Sequence, residues 1–142
     1  MRPPDPTLAL RPWLDSPVTT ALHLSRGRWY KTPHLELISR KVAELRRLPI
    51  RLIITCPPRH GKSEICSHWT PVWFLANFPD RRVILSSYES SFATTWGRKV
   101  RNTIEENSDS LGIRMAISAA TDAVKTLLMI SSPLGRCVSC RA

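Results

Sequence analysis

The chain has 142 residues, 42% hydrophobic and 23% charged, which is ordinary for a soluble globular chain of one domain. No stretch approaches the length needed to span a bilayer and no long apolar run follows the N-terminal arginine, so a membrane protein and a signal peptide are not expected. The balance of 21 Lys and Arg against 11 Asp and Glu gives a net charge of +10, which points to a polyanionic partner such as nucleic acid. A basic surface with no dedicated partner is the plainer reading of the same charge. A cytoplasmic protein is expected, and its four cysteines are then most simply free thiols.

Residues 1–33 are proline-rich, with Pro3, Pro4, Pro6, Pro12, Pro17 and Pro33, and most of the stretch, residues 1–28, reads as an extended, poorly ordered leader. Trp13, Trp29 and Tyr30 are its anchors, by packing on the domain or, for Trp29 and Tyr30, by lying near a nucleotide base. Over residues 34–48 the pattern turns helical, with Leu35, Ile38, Val42 and Leu45 on one stripe and Pro49 as the stop. Leu52, Ile53 and Ile54 follow as a run of β-formers, the signature of a strand covered on both faces in a parallel sheet. Pro57-Pro58 ends that run, Gly61-Lys62-Ser63 closes a turn, and an apolar-periodic helix over residues 64–77 begins at once. Ile65, Trp69, Val72, Trp73 and Ala76 form its stripe, and Pro71 is expected to kink or split it. Val83, Ile84 and Leu85 centre a second strand over residues 82–87. A third helix over residues 90–107 carries Phe92, Trp96, Val100 and Ile104 on one side and Arg98, Lys99 and Arg101 as a basic patch. Residues 111–117 are a candidate third strand. The order predicts an α/β fold, helices packed on a mostly parallel sheet. Residues 118–142 form an atypical tail with no clear amphipathic plan.

Strand, tight turn, Gly-Lys-Ser and helix is the context in which a phosphate loop makes sense. Polyphosphate requires main-chain N–H groups pointing inward, and a helix N-terminus supplies them with a partial positive charge. Gly61 lets the chain approach without a Cβ, Lys62 is placed to reach the β- and γ-phosphates, and the Ser63 hydroxyl to ligate Mg²⁺. The first glycine usual in such loops falls at Cys56 and is missing. Pro57 and Pro58 have no N–H, so the amides of residues 59–63, His60 among them, must build the cradle. An ordinary strand–turn–helix with a solvent-facing lysine is the alternative.

Residues 29–107 resemble the N-terminal part of the ATPase domain of bacteriophage terminase large subunits, the motors that push DNA into proheads. The matching blocks, in order, are Pro33-His34-Leu35-Glu36-Leu37-Ile38, then Pro57-Pro58-Arg59-His60-Gly61-Lys62-Ser63 after its strand. Asp80-Arg81-Arg82-Val83-Ile84-Leu85-Ser86-Ser87-Tyr88 and Gly97-Arg98-Lys99-Val100-Arg101 complete the series. The resemblance implies an incomplete P-loop NTPase domain over residues 29–117, with MgATP held by His60, Gly61, Lys62 and Ser63 and the metal by Ser63. It implies a catalytic role for Arg59, neutralising charge that develops on the γ-phosphate, and places His34 where it could touch the adenine. Partners implied for the full-length family are DNA, the terminase small subunit and the portal, in the cytoplasm of a bacterial host.

The departures are as specific as the matches. The family carries a second acidic motif, an apolar strand ending in paired carboxylates, yet none of the 11 acidic residues here follows four apolar positions. The nearest run, residues 127–130, leads into Ser131-Ser132-Pro133. Loss of general-base catalysis alone costs on the order of 10²–10⁴ in rate, so a truncated chain with little ATPase activity is expected. The tail fits translation out of register, the favoured account, or decay of a shortened remnant. The rival function is a small basic nucleic-acid-binding protein with a relic loop; a different P-loop enzyme such as a small kinase is disfavoured by the same missing acid. Cys137 and Cys140 have C-x-x-C spacing but no further ligands near them for zinc, and Glu105-Glu106 reads as a solvated helix face.

Overall fold

The computed structural model describes residues 11–115 and 130–131, and the chain divides into two compact units, Met1–Trp73 and Phe74–Ala142. In the first unit a 3₁₀ turn, Pro12–Leu14, leads into α1, Pro17–Leu24. Ser16 caps α1: its hydroxyl accepts from the Thr19 N–H while the Thr19 hydroxyl answers the Ser16 N–H at 2.9 Å, and Pro17 supplies a preset φ at the first turn. The proline-rich segment read as an extended leader is therefore helical from residue 12 and packed, with Leu14, Val18, Ala21 and Leu24 buried. Pro12 and Pro17 sit at first turns, where helices tolerate them, and that inverts the compositional reading from residue 12 on; residues 1–10, with Pro3, Pro4 and Pro6, lie outside the described residues.

α2, Pro33–Ala43, runs into a 3₁₀ turn, Glu44–Arg46, ahead of Pro49, and buries Leu35, Ser39 and Val42. Ser39 is a buried polar residue with a purpose: its Oγ accepts from the Val18 N–H at 3.0 Å, joining α2 to the start of α1. The helix after the loop is continuous through residues 62–77 as α3, Lys62–Glu64, a π turn, Ile65–Trp69, and α4, Thr70–Asn77. Of the two outcomes expected at Pro71, a kink or a split, the split does not occur. The Thr70 N–H instead reaches back to the Ile65 carbonyl, so the register slips just before a residue that cannot donate, and the helix carries on. Ile65, Trp69, Val72 and Trp73 are buried in this unit. Trp73 Nε1–H donates to the Leu14 carbonyl at 2.8 Å, Arg46 donates to the same carbonyl, and the Arg46 guanidinium lies 5.3 Å from the Trp73 ring centroid.

The second unit is built on α5, Ser90–Glu106, with Val100 and Ile104 buried and Phe92 half-exposed at the outer end of the stripe. α6, Ser108–Leu111, follows, ended by Gly112 at φ +66°. β1, Arg114–Met115, pairs antiparallel with β2, Ile130–Ser131. Of the strand expected over residues 111–117, Arg114–Met115 is extended, Leu111 ends α6, and residues 116–117 lie outside the described residues. The tail's remaining features, residues 116–129 and 132–142 with Cys137 and Cys140, lie outside the described residues.

The parallel sheet is the main correction. Among the described residues no parallel pairing exists, and neither residues 52–54 nor residues 83–85 form a strand. Ile53 is 91% exposed and Ile84 88%. A strand is made by its neighbour: β-propensity measures fit to a pleated, half-buried surface, and an apolar run without a ladder partner gains nothing from being extended. The α/β architecture, helices on a mostly parallel sheet, is thus overturned in favour of helical units.

Candidate functional site

The loop of residues 57–61 curls tightly before α3. Two residues take left-handed backbone angles, Arg59 at φ +65° and Gly61 at φ +76°. Gly61 is required there on two counts: its φ disfavours any side chain, and an added Cβ would lie 3.2 Å from Leu35 Cδ1. Arg59 is a non-glycine residue in the same region, an uncommon conformation held by the loop's own hydrogen bonds. His60 Nδ1–H donates to the Pro58 carbonyl at 2.8 Å, and His34 Nε2–H, from α2, donates to the His60 carbonyl at 2.9 Å. The two imidazoles meet edge to face with centroids 5.9 Å apart.

Inside the curl is a concavity of about 350 Å³, walled by Pro57, Pro58, Arg59, Gly61, Lys62 and Ser63, with Glu64 at its end. Lys62 folds back across it and donates from Nζ to the Cys56 carbonyl at 3.3 Å. The Ile65 N–H takes the Gly61 carbonyl at 3.0 Å, which leaves Lys62 and Ser63 as first-turn residues whose N–H groups have no acceptor within the helix. Two basic residues, a serine and the first turn of a helix thus border a single hollow. It suits an anion with several oxygens.

The site residues expected from the sequence divide cleanly. Arg59, Gly61, Lys62 and Ser63 all line the concavity, with Arg59 and Ser63 exposed and Lys62 half-buried. His60 does not line it; its ring turns back to Pro58. His34 spends its Nε2 on the loop backbone. Missed by sequence reasoning were Leu35 as the floor under Gly61 and the pair Glu64–His68, Oε1 to Nδ1 at 2.8 Å with His68 almost fully buried. The four-residue spacing of that pair was a readable signal; the contacts from α2, 26 residues away for His34 to His60, had none.

Just behind the loop, burial pushes the Cys66 thiol up from its ordinary pKa, with Lys62 opposing and Cys56 adding to the rise. Cys56 and Cys66 are both free thiols. No group of three or more His, Cys, Asp or Glu side chains that could hold a metal occurs among the described residues. Mg²⁺ is commonly held by one or two carboxylates plus substrate phosphates. The residues present therefore fit a polyphosphate, and a metal only as it arrives with one, touched by the Ser63 hydroxyl. No helix among the described residues is long and apolar enough to cross a membrane. Compared with known proteins, the chain matches no family model, no curated protein and no solved structure.

Proposed function

We propose that the chain is the ATP-binding N-terminal segment of a terminase large subunit, acting on DNA in the cytoplasm of a phage-infected or lysogenic bacterium. The observation that carries this reading is the curl of residues 57–64 into a hollow at a helix N-terminus with Lys62 across it. In this role the Lys62 and Ser63 amides bind phosphate oxygens, Lys62 exchanges its Cys56 carbonyl for the β- and γ-phosphates, and Arg59 meets the outermost oxygens from the rim. Mg²⁺ arriving with the nucleotide would be held on the protein side by the Ser63 hydroxyl and would supply neutralisation of phosphate charge. Glu64 is the one carboxylate lining the hollow among the described residues, and His68 holds it.

With no second acidic motif, the chain binds nucleotide far better than it turns it over. MgATP raises the melting temperature of the wild type and leaves Lys62→Ala unmoved; turnover of several per second that disappears in Lys62→Ala would overturn the inactive half of the proposal. The rival reading, a basic nucleic-acid binder with an idle loop, draws on Arg98 and Lys99, both exposed on α5. Salt-sensitive DNA binding indifferent to Lys62 and to nucleotide, with no protection by MgATP, would favour it.

A further inference from the structure

We propose that His34 is a positioning residue of the phosphate loop: from the first turn of α2 it holds the His60 carbonyl outward and so turns the Gly61 N–H into the hollow. Peptide geometry links the two groups. No peptide bond among the described residues is cis, and in a planar trans peptide the C=O of one residue and the N–H of the next point in opposite directions. Fixing the His60 carbonyl therefore fixes the Gly61 amide. The same logic runs one step earlier, where the His60 ring holds the Pro58 carbonyl at 2.8 Å and so directs the Arg59 N–H.

The wall of the concavity agrees. Arg59 and Gly61 belong to it, and neither imidazole does, so both rings work from behind the loop. Leu35, the next residue of α2, lies against Gly61 from the same side, where an added Cβ would come within 3.2 Å of its Cδ1. The His34 nitrogen that donates to the loop is not available to a nucleobase unless this bond breaks. This assignment rests on the phosphate-loop reading for what the Gly61 amide meets, but the brace itself does not depend on a ligand.

Two measurements separate them, on wild type, His34→Phe, which keeps a ring and loses the donor, and His34→Gln, which restores an N–H at similar reach. Without ligand, trypsin cleavage after the exposed Arg59 is followed by mass spectrometry, with circular dichroism to confirm the helices. Cleavage is expected to accelerate severalfold in His34→Phe and to return toward wild type in His34→Gln; equal rates in all three overturn the brace. With ligand, calorimetry compares MgATP and inorganic tripolyphosphate. Loss of one positioned hydrogen bond should weaken both by the same factor, about fivefold in His34→Phe. A loss confined to ATP would make His34 a base contact and overturn the proposal. If wild type binds neither probe, the phosphate-loop reading fails, and the cleavage rates still decide the brace.

Discussion

Residues 52–54 and residues 57–64 adjoin in the sequence, yet only the second stretch takes the form its residue types suggest. The loop takes its form largely by short-range means, with positive φ at Arg59 and Gly61, a histidine bonded two residues back and a lysine bonded six back, and α2 adds His34 and Leu35 from outside. The apolar run has no such means. Its β-formers need a ladder on at least one side, and Ile53 stands in solvent. Chemistry that a segment carries with it survives out of context; chemistry that needs a distant partner does not.

Substitutions in the two kinds of region should therefore differ in cost. The largest effect is expected at the non-local knot of the first unit. Trp73→Ala removes a buried indole, its bond to Leu14 and its stack on Arg46, and should cost about 3–5 kcal/mol in urea unfolding. Gly61→Ala comes next: a left-handed φ and the crowding against Leu35 together predict a loss of about 1–2 kcal/mol, with weaker phosphate binding. A neutral result there would mean that the loop relaxes freely and the hollow is not held.

Thiol chemistry tests the helix behind the loop. Cys66, with its pKa raised by burial, should alkylate with iodoacetamide severalfold more slowly than Cys56. The sign for stability follows: the fold favours the neutral thiol, so this contribution is complete below the ordinary thiol pKa and is lost as pH climbs through the raised one. Cys66→Ser should flatten the alkaline limb of a stability–pH curve. The smallest effect is expected at Ile53→Thr, within about 0.5 kcal/mol of wild type. A penalty well above that would show the run to be covered, and would erase the contrast drawn above.

The helices of residues 33–43, 62–77 and 90–106 were legible because each carries its own period and stops. The stripe Ile65, Trp69, Val72, Trp73 and Ala76 is buried as its spacing implies, and Val100 and Ile104 anchor α5 in the same way. Arg59, Gly61, Lys62 and Ser63 could be named from the tripeptide and its flanks. The brace on the loop could not, because nothing in the residues around His60 says that α2 will arrive beneath it. Composition misled at the N-terminus, where prolines at helix starts look the same on a count as prolines in an extended chain.

By itself the sequence determined local conformation: the amphipathic stripes, the glycine a tight curl requires and the cation beside it, since backbone sterics and helical period act over a few residues. Only the tertiary structure decided which apolar runs became core. Burial and pairing are properties of two surfaces meeting, and residues 52–54 and 83–85 met no strand among the described residues, while Leu14, Arg46 and Trp73 met each other.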